Sequence, residues 1–130
     1  MPSASKIKAI VVDDQLTMRT LVRSALQQIG IVDVREFPNP QEALEALKVQ
    51  AAHIIFSDFN MPGMDGLEFL RTVRGDPVLK STGFVLLTGR ADADLVKRAV
   101  QFGVNNYLAK PFTVAVLKQK LEQIFGPLTA

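Results

Sequence analysis

The stretch HIIFSDFNMPGMDG, residues 53–66, decides the fold. HIIFS, 53–57, reads as a short strand of the kind buried on both faces. It delivers a carboxylate, Asp58, and a turn rich in Gly, Pro and Met then stops regular structure before anything helical begins. A charge at the mouth of a buried strand is costly unless something meets it there. What meets it depends on the rest of the chain.

Outward from this strand, the pattern repeats. AIVV (9–12) is a second apolar run and ends in Asp13-Asp14. Met18, Leu21, Val22, Ala25, Leu26 and Ile29 then fall at helical spacing over 16–29, with Gly30 as the stop. Val32, Val34 and Phe37 mark a shorter strand. Asn39-Pro40-Gln41-Glu42 reads as an N-cap, Pro at the first helical position and Glu at the third, opening a helix with Ala43, Leu44 and Leu47. Beyond the quoted loop, Leu67, Phe69, Leu70 and Val73 predict a helix ending near Gly75-Asp76-Pro77. FVLLT (84–88) is a strand. Leu95, Val96, Ala99, Val100 and Phe102 predict a helix that Gly103 stops. A strand over 106–109 follows, then a helix capped by Thr113, carrying Val116, Leu117, Leu121, Ile124 and Phe125 and closed by Gly126-Pro127. Strand then helix, five times with short connections, implies a parallel sheet between helix layers.

Composition sets outer limits. The 130 residues suit one domain, with 48% hydrophobic and 22% charged residues, ordinary for a globular protein. A net charge of +2 argues for neither nucleic acid nor membrane as partner. With no Cys, thiolate and disulfide chemistry are excluded. No apolar run approaches the roughly 20 residues of a membrane span, so a cytoplasmic protein is expected. A single domain over 1–130 is expected, with a flexible N-terminus over 1–7.

In open sheets of this kind, ligands gather beyond the carboxyl ends of the strands. There the first strand delivers Asp13 and Asp14, the third Asp58, the fourth Thr88 and the fifth Lys110. Three close carboxylates raise one another's pKa unless neutralised. A hard divalent cation such as Mg²⁺ neutralises them through oxygen ligands. A hydroxyl and an ammonium opposite would clamp a tetrahedral anion. These are the parts of phosphoryl transfer, with Asp58 as the natural nucleophile. Taken singly, each residue is ordinary: a strand-end pair, a loop Asp, a turn Thr, a solvated Lys. The joint placement is what speaks. Lone His53 lies at the strand's other end and reads as structural, and Met61 and Met64 read as loop packing.

VVDD (11–14), SDFNMPGMDGLEFL (57–70), LLTG (86–89), Tyr107 and KPFT (110–113) together resemble the response-regulator receiver domain, over residues 8–125. TMR (17–19), NMPGMDGL and KPFT point within it to stand-alone, CheY-like chemotaxis receivers. The resemblance implies a doubly wound, flavodoxin-like α/β fold with five parallel strands in the order 2-1-3-4-5. That order is a known property of the family, not something the alternation yields. It implies phosphorylation of Asp58 by a histidine kinase. Asp14 and Asp58 would bind Mg²⁺ directly, Asp13 through water and Asn60 through its backbone carbonyl. Thr88 and Lys110 would engage the phosphoryl group. Tyr107 would be a rotameric switch, and the Lys110-Pro111 bond would be cis. Phosphorylation would then change the surface of the fourth helix, fifth strand and fifth helix, to bind a flagellar motor switch protein or another target. The protein would be a monomeric signalling protein, catalysing only its own phosphoryl transfer and dephosphorylation.

Departures from the chemotaxis pattern bear on the partner. Arg90, two residues after Thr88, replaces an acid and is a candidate modulator of the acyl phosphate. Phe59 replaces a tryptophan and Gln15 a phenylalanine, and the segment 91–94, ADAD, is more acidic than the pattern. A phosphate sink, or a receiver controlling a non-motor partner, is the alternative within the family. Outside it, a haloacid-dehalogenase-type phosphatase needs Asp two residues after its nucleophile, where Gln15 stands. A flavodoxin-like flavin binder needs a hydroxyl- or Gly-rich loop where Asp13-Asp14 would repel phosphate.

Overall fold

The computed structural model describes residues 3–89 and 93–128. Five strands alternate with five α-helices: β1 (Lys8–Val12), α1 (Leu16–Ile29), β2 (Asp33–Phe37), α2 (Pro40–Val49), β3 (Ile54–Asp58), α3 (Gly66–Gly75), β4 (Gly83–Thr88), α4 (Ala93–Gln101), β5 (Asn106–Ala109) and α5 (Val114–Phe125). The sheet is parallel, in the order β2-β1-β3-β4-β5. The expected fold and order are therefore present. Among the described residues no helix is long and apolar enough to cross a membrane.

Strand alternation sorts the core into two layers. Ala9, Val11, Ile54, Phe56, Val85, Leu87 and Leu108 face α1 and α5, meeting Val22, Leu26, Leu117 and Leu121. Ile10, Val12, Ile55, Phe84 and Leu86 face the other way, against Ala43, Leu47, Phe69, Leu70, Leu95 and Ala99. Phe69 meets Phe84 edge to face, with ring centroids 5.4 Å apart. The central strand β3 is buried at every position, as a parallel strand covered on both faces must be.

The expected helix ends are present where chemistry fixes them. Asn39 Oδ1 accepts from the Glu42 N–H at 2.9 Å, and Thr113 Oγ1 from the Val116 N–H at 3.1 Å. Gly30 closes α1 in a left-handed conformation, φ 111°.

Several expectations need correction. The leading segment is not free over 4–7: Ala4–Lys6 form a 3₁₀ turn, and Ala4 and Ile7 are buried in the core. Strand β3 runs over 54–58 rather than 53–57, so Asp58 is its last residue. His53 instead caps the neighbouring strand, its Nδ1 accepting from the Lys8 N–H at 2.9 Å. Val32 lies outside β2 and is exposed, and Val100 and Val116 point to solvent despite their helical spacing.

Candidate functional site: an acidic cleft at the carboxyl edge

Parity explains the convergence. Asp13, Asp58 and Lys110 continue the rows Ala9–Val11, Ile54–Phe56 and Leu108, so they emerge on one side of the sheet where β1, β3 and β5 end. Asp13, Asp14 and Asp58 each offer a carboxylate oxygen, and these atoms all lie within 4.8 Å of one another. Lys110 reaches across the end of β4: its Nζ donates to Asp58 Oδ1 at 2.5 Å and stands 3.7 Å from Asp13 Oδ2. Thr88, the last residue of β4, is buried and continues the Phe84–Leu86 row of the other face, and the Lys110 N–H donates to its carbonyl at 2.9 Å. The Lys110-Pro111 bond is cis.

Among the described residues, the cleft is short of positive charge. Asp13 and Asp58 are buried while Asp14 is exposed. Burial is the main cause that raises the Asp13 pKa above its usual value, and the charges of Asp58 and Asp14 raise it further. The Gln15 N–H on Asp13 Oδ1, at 2.9 Å, and Lys110 act the other way without cancelling that rise. Three carboxylates against one ammonium, all oxygen donors, match what a hard divalent cation takes.

The quoted loop is shaped by what lies beneath it. Gly66 opens α3 directly under the end of β3. A Cβ there would stand 2.6 Å from the Asp58 carbonyl oxygen and 2.9 Å from Phe59 Cα. Its N–H closes the loop onto the Phe59 carbonyl at 2.9 Å. Asp65 caps α3 through the Glu68 N–H at 2.9 Å, and Met61 turns back into the core. The sequence reading missed both Asp65 as cap and Gly66 as contact. The signal was present in Asp65-Gly66-Leu67-Glu68, a cap residue with a Glu three places on.

The remaining expected positions are dispersed. Asn60 is exposed in the loop. Tyr107 on β5 is half-buried, with Lys120 Nζ 4.9 Å from its ring centroid. Arg90 lies outside the described residues. A cavity of about 400 Å³ opens on the other side of Lys110, between α1 and the start of α5, lined by Met18, Leu21, Phe112 and Val114 among others. None of the three carboxylates lines it, so the polar chemistry belongs to the cleft.

A family model for the response regulator receiver domain matches residues 9–122. The chain belongs to the response-regulator receiver family. This receiver is 44% identical over 128 residues to a probable chemotaxis protein CheY of Rhizobium etli, covering 98% of this chain and 99% of the relative. It is 39% identical over 122 residues to chemotaxis protein CheY-3 of Vibrio cholerae, covering 94% of each. Among solved structures, chemotaxis protein CheY4 of Vibrio cholerae matches the receiver with a TM-score of 0.84 at 30% identity, over 91% of this chain and 98% of that one. A putative response regulator from Chloroflexus aurantiacus matches with a TM-score of 0.86 at 27% identity, over 98% of this chain and 100% of that one.

Proposed function

We propose that this receiver takes a phosphoryl group on Asp58 from a histidine kinase and relays the signal in chemotaxis. One observation carries the reading. The Asp58 carboxylate is bonded to Lys110 at 2.5 Å inside a cluster that also holds Asp13 and Asp14. A nucleophile, a compensating cation and a set of hard oxygen ligands thus share one cleft. That the relatives at 44% and 39% identity are named as chemotaxis proteins supports the pathway.

In the proposed step, an Asp58 oxygen attacks phosphorus as the P–N bond to the kinase histidine breaks. The leaving nitrogen keeps the electron pair and takes up a proton. Lys110 transfers its hydrogen bond from the Asp58 carboxylate to a phosphoryl oxygen, and the Thr88 hydroxyl binds another. Asp13, Asp14, Asp58 and the Asn60 carbonyl are the residues that would hold Mg²⁺, which supplies charge neutralisation for the incoming phosphoryl group. Tyr107 is the switch, swinging inward as Thr88 is drawn to phosphate. The altered α4-β5-α5 surface then binds a flagellar motor switch protein. The protein works as a monomer in the cytoplasm, with no substrate beyond its own phosphoryl group.

Intact mass after exposure to a small-molecule phosphodonor tests this. A labile, Mg²⁺-dependent single adduct on the wild type, absent from Asp58→Asn, is expected. An adduct of equal yield on Asp58→Asn would reject the site. A pull-down with the motor switch protein should then retain only the phosphorylated form. Retention independent of phosphorylation would reject that output.

A further inference from the structure

Arg19, in the TMR segment, stands on the first turn of α1 with its side chain 16% exposed. Its Nη1 donates to the backbone carbonyl of Asp13 at 2.7 Å. Its Nε lies 3.5 Å from Glu36 Oε1, on β2. The other Glu36 oxygen accepts from Arg23 Nη1 at 2.7 Å, so Glu36 is itself held in place. The Asp13 N–H is fixed to the Phe37 carbonyl at 3.2 Å. The two peptides flanking Asp13 are thus both tied, the Val12-Asp13 peptide to the end of β2 and the Asp13-Asp14 peptide to a braced guanidinium.

This matters because Asp14 is exposed. Packing does not hold its carboxylate, so the backbone that carries it, including the peptide whose carbonyl Arg19 binds, sets the starting direction of the side chain. Glu36 pairs with Arg19, but with respect to a bound cation the Arg19 charge is unfavourable. A guanidinium beside a cleft for a divalent cation opposes the cation, and Glu36 offsets only part of that charge. We infer that Arg19 is a positioning residue: by holding the Asp13 carbonyl, with Glu36 as its brace, it aims the Asp13-Asp14 pair at the cation. The inference rests on the proposed Mg²⁺-dependent function and adds a determinant to it. Groups behind metal ligands are expected to set affinity through orientation.

The two roles predict opposite signs. If Arg19 acted by charge alone, its removal would tighten Mg²⁺ binding. If it positions the acids, removal weakens binding although a repelling charge has gone. Calorimetric Mg²⁺ titration of the unphosphorylated protein distinguishes them. Arg19→Met is expected to weaken binding about tenfold. Arg19→Lys keeps the charge but loses the fork that spans Asp13 and Glu36, so it should fall between Arg19→Met and wild type. Glu36→Gln should weaken binding less than Arg19→Met. Val73→Ala, a buried change on α3, controls for stability and should keep the wild-type affinity. Arg19→Met or Arg19→Lys binding Mg²⁺ as tightly as wild type, or tighter, overturns the inference. So does a loss in Val73→Ala equal to that in Arg19→Met, because binding would then follow stability alone. The phosphodonor experiment separates the two levels. A wild type that takes a Mg²⁺-dependent adduct, with Arg19 variants titrating normally, removes only this inference. A wild type that neither binds Mg²⁺ nor takes an adduct removes the function it rests on.

Discussion

The two ends of the sheet treat charge in opposite ways. At the amino ends of β4 and β5, the half-buried Arg74 guanidinium is surrounded by oxygen acceptors. Nε donates to the Gly103 carbonyl at 2.8 Å, and Nη1 to the carbonyls of Thr82 at 2.6 Å and Lys80 at 3.1 Å. Nη2 donates to Asn105 Oδ1 at 2.8 Å, which also accepts from the Phe84 N–H at 2.8 Å. Burial lowers the Arg74 pKa, but the hydrogen bonds leave a satisfied knot joining α3 to the loops before β4 and β5. At the carboxyl ends, among the described residues, three carboxylates share one ammonium, and the Asp13 pKa rises. One end is finished as folded. The other carries a surplus of negative charge that a bound cation would relieve. A purely structural knot and the proposed chemistry thus sit at opposite edges, so the knot can be altered without touching the cleft.

The contrast can be broken most forcefully at Arg74. Arg74→Met leaves its partner carbonyls without their donor, and a loss of about 3 kcal/mol in denaturant unfolding is expected. Adduct formation should persist at temperatures where the variant is folded. Wild-type stability in Arg74→Met would show that the knot holds nothing. Gly66→Ala comes next. Its methyl would press on the Asp58 carbonyl and Phe59 Cα, at 2.6 and 2.9 Å, so about 2 kcal/mol is expected to be lost. Here, unlike at Arg74, the adduct should also form more slowly in the folded variant. An unchanged labelling rate would mean that the loop yields without moving Asp58.

Asp13→Asn is the smallest effect and the one with the opposite sign. The Asp13 pKa is raised in the folded state, so its contribution to stability is fully present below the unfolded value and lost as pH rises through the folded value. At neutral pH the ionised group is therefore a net cost. Without divalent cations, Asp13→Asn should be more stable there by about 1 kcal/mol, a few degrees in Tm. The advantage should shrink as pH is lowered and wild-type Asp13 becomes protonated. A variant less stable than wild type at neutral pH would show that the Lys110 ion pair outweighs burial.

Local chemistry made much of this legible beforehand. The bounds of α1 over 16–29 follow from apolar spacing and a stop glycine, and the Asn39 and Thr113 caps from side chains bonded three residues on. Where the reading failed, the cause lay at a distance in sequence. Val100 and Val116 fit the apolar spacing, yet the fold leaves them exposed. Ala4 and Ile7 look like a loose leader until the core cluster that includes Ile29 and Ile31 encloses them. Arg74 gave no sign of its role, since its partners Gly103 and Asn105 are 29 and 31 residues away.

The sequence by itself determined the alternation, the parallel sheet and the inventory of the cleft, because periodicity and strand-end position depend on near neighbours. Recognising the family supplied the strand order. Only the tertiary structure decided that Lys110 grips Asp58, that Arg19 reaches the Asp13 carbonyl, and that Gly66 leaves no room above it. Those are distances between residues separated by whole elements, set by register and packing rather than by any local preference.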